Sequence, residues 1–117
     1  MLFNKTSYTV GLYSEFLARM YLRLHGYRIL QSRYITGKNT NRAEIDIIAQ
    51  YKNTIVFVEV KARKNTSAAW NAITPTQSAR LRRAAETYLI KKQWKGNARF
   101  DVIAVCGHKI YWAKNAI

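Results

Sequence analysis

The stretch AEIDIIAQYKNTIVFVEVKAR, residues 43–63, reads as two β-strands, yet it holds Glu44, Asp46 and Glu59, three of only six acidic residues in the chain. Taking a carboxylate out of water among Ile, Val and Phe is costly unless something meets its charge. Strand alternation sets Ile55, Phe57, Glu59 and Lys61 on one face and Val56, Val58, Val60 and Ala62 on the other. With the turn centred between Lys52 and Asn53, antiparallel pairing places Ile48 opposite Phe57, Asp46 opposite Glu59 and Glu44 opposite Lys61. Residues so paired share a face, with Cβ atoms about 5 Å apart. Ile45, Ile47 and Ala49 then join the valines on a wholly apolar, core-facing side. A three-residue loop would shift the register by one and part Asp46 from Glu59, so the arrangement depends on the turn.

Two carboxylates directly across a ladder repel. A divalent cation between them turns that cost into a binding site, since Mg²⁺ takes hard oxygen ligands from one or two carboxylates and completes its shell with water and substrate phosphate. Lys61, on the same face as Glu59, is placed to hold or deprotonate a water, or to neutralise charge on a phosphorane-like transition state. That is equipment for phosphodiester hydrolysis. The same residues also fit a structural ion-pair network, with Glu44 and Lys61 as a cross-strand pair and Asp46 and Glu59 each met by one of the 20 basic side chains.

The elements needed to hold this stretch are legible around it. Val10, Tyr13, Leu17, Met20 and Leu24 recur at helical spacing from about Thr6 to His25, with Leu12 and Phe16 widening the apolar face and Gly26 as a stop. YRILQSRYI, residues 27–35, alternates as a strand, and TGKNTNR is a polar loop. After a second polar stretch, KNTSAAWN, Thr74 is an N-cap with Pro75 at the first helical position. The helix that follows buries Leu81, Ala85, Tyr88 and Leu89. ARFDVIAVC and KIYWAK close the chain as a hairpin about Gly107 and His108. The expected order is α-β-β-β-α-β-β: an α/β fold with one mixed five-stranded sheet flanked by helices, as a single domain over residues 1–117.

Twenty Lys and Arg against six Asp and Glu leave a net charge of +14 and a pI near 10.3. A field of that sign draws polyanions, and counterion release favours nucleic acid without any reading of sequence. A basic protein that merely stays dissolved, or that sits on an anionic membrane or ribosomal RNA, fits the charge as well. Hydrophobic content of 49% with one proline argues for a folded globule. The single cysteine, Cys106, excludes an internal disulfide and fits a reducing compartment, so a cytoplasmic location is expected. No apolar run approaches the length of a membrane span, and MLFNKTSYTV has no signal-peptide core. His/Cys metal spacing, a Ser-His-Asp arrangement and a Gly-rich phosphate loop are all missing, so no organic cofactor is expected.

Asp46, a gap of twelve, then Glu59-Val60-Lys61 resembles the D…ExK core of the PD-(D/E)XK nuclease superfamily. The ordered blocks GLYSEFLARMYLRLHGYRIL, AEIDIIA, TIVFVEVKAR, AITPTQSARLRRAAETYL and ARFDVIAV resemble the YraN-like bacterial family, grouped with archaeal Holliday-junction resolvases, over about Gly11 to Trp112. The resemblance implies a restriction-endonuclease-like core acting on DNA, branched DNA included, with Mg²⁺ or Mn²⁺. It implies Asp46 and Glu59 as metal ligands, Lys61 as the catalytic lysine, and Glu15 as a further catalytic acid reaching the metal or its water. A homodimer is implied by the resolvase relatives. The chain departs from the family at Ala43, where Gly is usual, and at Gln77, where Lys is common. Thr74-x-x-Gln77 is also a capping box, and helix-start structure is the expected role of Gln77.

Other residues carry weaker expectations. Glu15 stands four before Arg19, so a surface ion pair competes with a site role. Asp101 is expected to be a structural partner of a nearby arginine. Arg42, Arg63, Arg80, Arg82 and Arg83 are the expected phosphate contacts, which position a substrate without reading its bases. Tyr34, Trp70 and Trp94 are candidates for stacking on unpaired bases, with core packing the plainer role. The leading functional expectation is a metal-dependent DNA endonuclease. Its rival is an accessory protein that keeps the fold and basic surface without catalysis, and RNA remains open as the polyanion.

Overall fold

The computed structural model describes residues 7–37 and 42–117. In chain order it contains α1 (Ser7–Leu24), β1 (Arg28–Thr36), β2 (Ala43–Tyr51), β3 (Thr54–Ala62), α2 (Thr66–Asn71), α3 (Pro75–Lys92), β4 (Asn97–Cys106) and β5 (Lys109–Ala113). The strands form one sheet in the order β1-β2-β3-β4-β5. Every neighbouring pair is antiparallel except β3 and β4, which are parallel. A parallel step needs a crossover, and α2 and α3 supply it. The expected mixed α/β sheet is therefore present. Positions 38–41 of the expected TGKNTNR loop lie outside the described residues.

One helix was hidden inside a stretch that reads as loop. Asn65 caps α2, its side-chain oxygen accepting the Ala68 N–H at 2.8 Å, and Ala69 is buried. Six residues are too few to show a helical period, so the cap and the Ala-Ala pair were the only signals.

Both faces of the sheet are covered. On one, Ala18 and Leu22 of α1 pack with Tyr27, Ile47, Ala49, Val56, Val58 and Ile103. On the other, Leu81, Ala84, Ala85 and Tyr88 of α3 pack with Ile48, Ile55 and Phe57. Strands buried on both sides carry near-continuous apolar runs, as β2 and β3 do.

The buried side of α1 is not the expected one. Ser14, Glu15, Ala18 and Leu22 face the sheet, whereas Tyr8, Leu12, Tyr13, Phe16, Met20 and Leu24 are exposed. The helix is apolar almost all round, so periodicity alone did not decide which side docks. Ser14 and Ala18 let the helix backbone approach the strands more closely than a row of large side chains would.

Asp101 is fully buried on β4 and fully paired. Its two oxygens accept from Arg99 Nε and a guanidinium NH2 group at 2.9 Å each, from Trp112 Nε1 at 2.8 Å and from the Asn115 N–H at 2.8 Å. This is the structural arginine partner expected from the sequence. The network ties the C-terminal hairpin to the core.

Candidate active site

The β2–β3 hairpin sets the site. Its loop has two residues, with Tyr51 opposite Thr54 and Lys52 at a φ of 51°. That gives the register expected for a turn between Lys52 and Asn53, with Ile48 opposite Phe57. The paired ladder ends at Ile47 opposite Val58. One step further, Asp46 turns into the gap, and its Oδ2 accepts the backbone N–H of Val60 at 2.8 Å. The strict alternation expected beyond this point fails: Ile45 packs on the α3 side with Ala43, not with Ile47 on the α1 side. A local twist at Asp46 re-aims its carboxylate, the role irregular strand ends often serve beside functional sites.

Glu59 stands beside it and is just 5% exposed. Its Oε2 accepts from Gln77 Nε2 at 2.7 Å and lies 3.3 Å from Lys61 Nζ. Its Oε1 is buried without an N–H or hydroxyl donor. Burial, followed by the charge of Glu59, raises the Asp46 pKa to about 9, against a smaller opposing effect of the Val60 N–H. Burial also raises the Glu59 pKa, with Asp46 and Lys61 pulling it back. Two carboxyls in one desolvated place cannot both ionise without a cation, and in its absence a proton held by Asp46 and bonded to Glu59 substitutes for one.

Gln77 corrects an expectation. Thr74 Oγ1 does accept the Gln77 N–H at 3.1 Å, so the N-cap is real. The Gln77 side chain does not complete a capping box; it reaches across to Glu59. Sequence distance concealed this, because the contact spans 18 residues and forms only when α3 docks on the sheet. The family's usual Lys at this place was the one available hint.

Glu15 is buried on α1, and Arg33 holds it, with Nε to Oε1 at 3.0 Å and an NH2 group to Oε2 at 3.4 Å. The Glu15 bond raises the Arg33 pKa. Glu15 therefore points into protein, as its small neighbours implied, and its partner is Arg33 rather than Arg19. Its charge is still felt at Asp46. Among the described residues, no three Asp, Glu, His or Cys side chains come close enough to form a ligand set by themselves. The acids brought together are Asp46 and Glu59. Glu44 lies nearby, paired with Arg42 at 3.6 Å rather than with Lys61 as the register suggested.

The expected phosphate contacts divide into three places. Arg42 and Arg80 line a pocket of about 210 Å³ with Glu44, Asp46, Glu59 and Gln77. Arg63 lies on the opposite flank, beside Lys61, where a second pocket of about 310 Å³ also meets Glu15. Arg82 turns away, bonding the Ile117 carbonyl and covering the Phe100 ring, while Arg83 is exposed on α3. Of the stacking candidates, Tyr34 packs edge-on against Tyr88 and Trp94 donates to the Asn97 carbonyl, so both belong to the framework. Trp70 is partly exposed beside α2.

Residues 14–105, which carry every residue of this site, match the family described as "Uncharacterised protein family UPF0102". The chain belongs to the UPF0102 family. It is 40% identical to a UPF0102 protein of Rhizobium etli over 97 residues, 81% of this chain and 76% of that one. A UPF0102 protein of Rhizobium leguminosarum bv. trifolii is 41% identical over the same shares of both chains. With a UPF0102 protein of Vibrio parahaemolyticus the identity is 38% across 99% of this chain and 96% of its relative. In this UPF0102 chain, Glu15 on α1, the Asp46–Glu59–Lys61 group and Gln77 on α3 thus all fall within the family's matched segment. No helix among the described residues is long and apolar enough to cross a membrane.

Proposed function

We propose that this UPF0102 protein is a metal-dependent DNA endonuclease that hydrolyses phosphodiester bonds in the cytoplasm, with branched DNA as its substrate. The observation that carries the reading is the Asp46–Glu59 pair: two buried carboxyls with a raised pKa, one orphaned oxygen, and a lysine 3.3 Å away. The donor set fits a hard cation. Asp46 and Glu59 Oε1 would hold Mg²⁺ or Mn²⁺, which needs just one or two protein carboxylates when water and phosphate fill the remaining positions. Glu15, whose charge reaches Asp46, is the proposed third acid. When bound, the metal supplies a Lewis acid and a more acidic water.

The chain's own residues do the rest. Val60 N–H and Gln77 fix the orientation of the two carboxylates before substrate arrives. Lys61, only partly exposed, offers an ammonium to the scissile phosphate or a proton-transfer group to water. Arg42 and Arg80 on one flank and Arg63 on the other are proposed to hold the phosphates either side. Each neutralised phosphate adds about 0.9 to the slope of log K against log salt. Arg80→Ala is therefore expected to lower that slope by about 1 for every DNA tested, as fluorescence anisotropy over a salt series would read. Sequence-specific weakening would point instead to base contact.

The branched substrate and a homodimer rest on the resemblance to resolvases. Tyr8, Leu12, Phe16, Met20 and Leu24, an exposed i,i+4 row on α1, offer such a dimer an apolar contact. Leu12→Asp with Phe16→Asp should then yield monomer in sedimentation equilibrium if that row is the contact.

A second reading has its own support. Lys61 and Gln77 both occupy Glu59 Oε2, and Arg33 occupies Glu15, an arrangement that is equally stable in a binding protein without turnover. Cleavage of labelled four-way-junction, flap and linear DNA with Mg²⁺ or Mn²⁺ decides. Cutting that depends on metal supports the endonuclease. Tight binding without cutting supports the accessory protein, and preference for structured RNA over both DNAs would move the substrate.

A further inference from the structure

A groove of about 1040 Å³ runs between the first turns of α1 and the ends of β3 and β4, lined by Thr9, Tyr13, Ser14, Arg63, Lys64 and His108 among others. It shares Val10, Ser14, Ala62 and Arg63 with the smaller pocket that contains Lys61 and Glu15, so the two are continuous. The function proposed above uses this flank for one phosphate at Arg63. The groove is larger than that task requires.

We propose that it holds an unpaired DNA strand leading away from Lys61, with a base stacked on Tyr13; this rests on the endonuclease reading of the neighbouring site. Three observations point the same way. Arg63 and Lys64 line the groove and no carboxylate does along its outer length, so its charge suits a sugar-phosphate backbone. Tyr13 presents a ring that is 48% exposed, and alternating aromatic and cationic groups form the platform on which single strands bind. The volume exceeds the range of about 300–1,000 Å³ that takes one drug-sized ligand, so more than one nucleotide fits. A duplex cannot use this surface fully, because its bases are stacked on one another and offer only their edges to the grooves. A branch or flap supplies the unstacked bases a duplex lacks.

The test is made in EDTA, so that binding is read without cleavage. Duplexes with a 3′ or a 5′ single-stranded tail carry 2-aminopurine in the tail and are compared with the blunt duplex. The wild-type protein should bind one tailed form about tenfold more tightly than blunt DNA and quench the tail fluorescence, in line with stacking on one aromatic ring. Tyr13→Ala should remove both the quenching and the tail advantage, and Tyr13→Trp should keep both. Arg80→Ala, on the other flank, should weaken tailed and blunt DNA by the same factor. Equal binding of tailed and blunt DNA, or quenching unchanged in a folded Tyr13→Ala protein, overturns the proposal. The two readings fail separately. Metal-dependent cutting with no tail advantage sinks the groove alone, whereas a tail advantage without cutting leaves the groove and removes the endonuclease.

Discussion

Lys61→Ala, Asp46→Asn and Glu59→Gln should each lower metal-dependent cleavage by about 10²–10⁴-fold while leaving DNA affinity in EDTA within a few-fold of wild type. The argument starts from burial. Asp46 and Glu59 are 9% and 5% exposed, so the site is poorly solvated and charges in it act on one another strongly. Asn at position 46 can still accept the Val60 N–H, and Gln at 59 can still accept from Gln77, so both changes alter charge more than shape. What they remove is half of the negative charge that would hold a divalent cation. Phosphate contacts from Arg42, Arg63 and Arg80 remain, which is why binding should persist. Lys61→Arg is expected to fail as a rescue, since a guanidinium keeps its charge but cannot give up a proton at working pH. Single-turnover rates with saturating enzyme separate chemistry from binding. Undiminished cleavage by Asp46→Asn would mean that the pair is not a metal site.

The two buried aspartates should respond to the same substitution with opposite signs. Asp101→Asn is expected to destabilise the protein by about 3 kcal/mol, because it breaks a network in which every acceptor position is used and leaves the Arg99 guanidinium without its anion. The paired Asp101 raises the Arg99 pKa, an independent sign that the interaction favours the charged forms. Asp46→Asn should instead stabilise the metal-free protein at pH 8, by about 2 kcal/mol, since an amide cannot repel Glu59. At roughly 4 °C per kcal/mol for a domain near this size, the two midpoints should move about 12 °C down and about 8 °C up.

The pH dependence follows from the same carboxyl. Asp46 ionises near its ordinary value of about 3.9 in the unfolded chain and at about 9 when folded. Between those limits the folded state holds a proton that the unfolded state releases, so stability is highest below the window and falls as pH rises through it. Asp46→Asn has no such proton, and its thermal midpoint should fall less between pH 5 and pH 8. Mg²⁺ or Mn²⁺ should raise the midpoint of wild type more at pH 8 than at pH 5, because the metal takes the ionised pair and displaces its proton. Equal slopes for the two proteins would mean that Asp46 is not the titrating group.

The local and periodic features were readable in the chain. Alternation in residues 43–63, a two-residue turn and a Thr-Pro helix start determined the hairpin, its register and the start of α3. From them the proximity of Asp46 and Glu59 follows, as does the mixed sheet. Asp101 beside Arg99 is likewise a neighbour within one strand. Three things were decided by tertiary packing alone. Which side of α1 docks depended on how close Ser14 and Ala18 allow it to come, a matter of shape that apolar periodicity does not encode. The partners of Glu15 and Glu59, Arg33 and Gln77, each lie 18 residues away and meet them only after α1 and α3 have covered opposite faces of the sheet. The turn of Asp46 toward Val60 arises where the ladder ends, so its side chain answers to a backbone group left unpaired rather than to the alternation that placed it there. Sequence determined which charges would be buried, and packing determined what each would find, because burial follows from local pattern while partners come from contacts between distant elements.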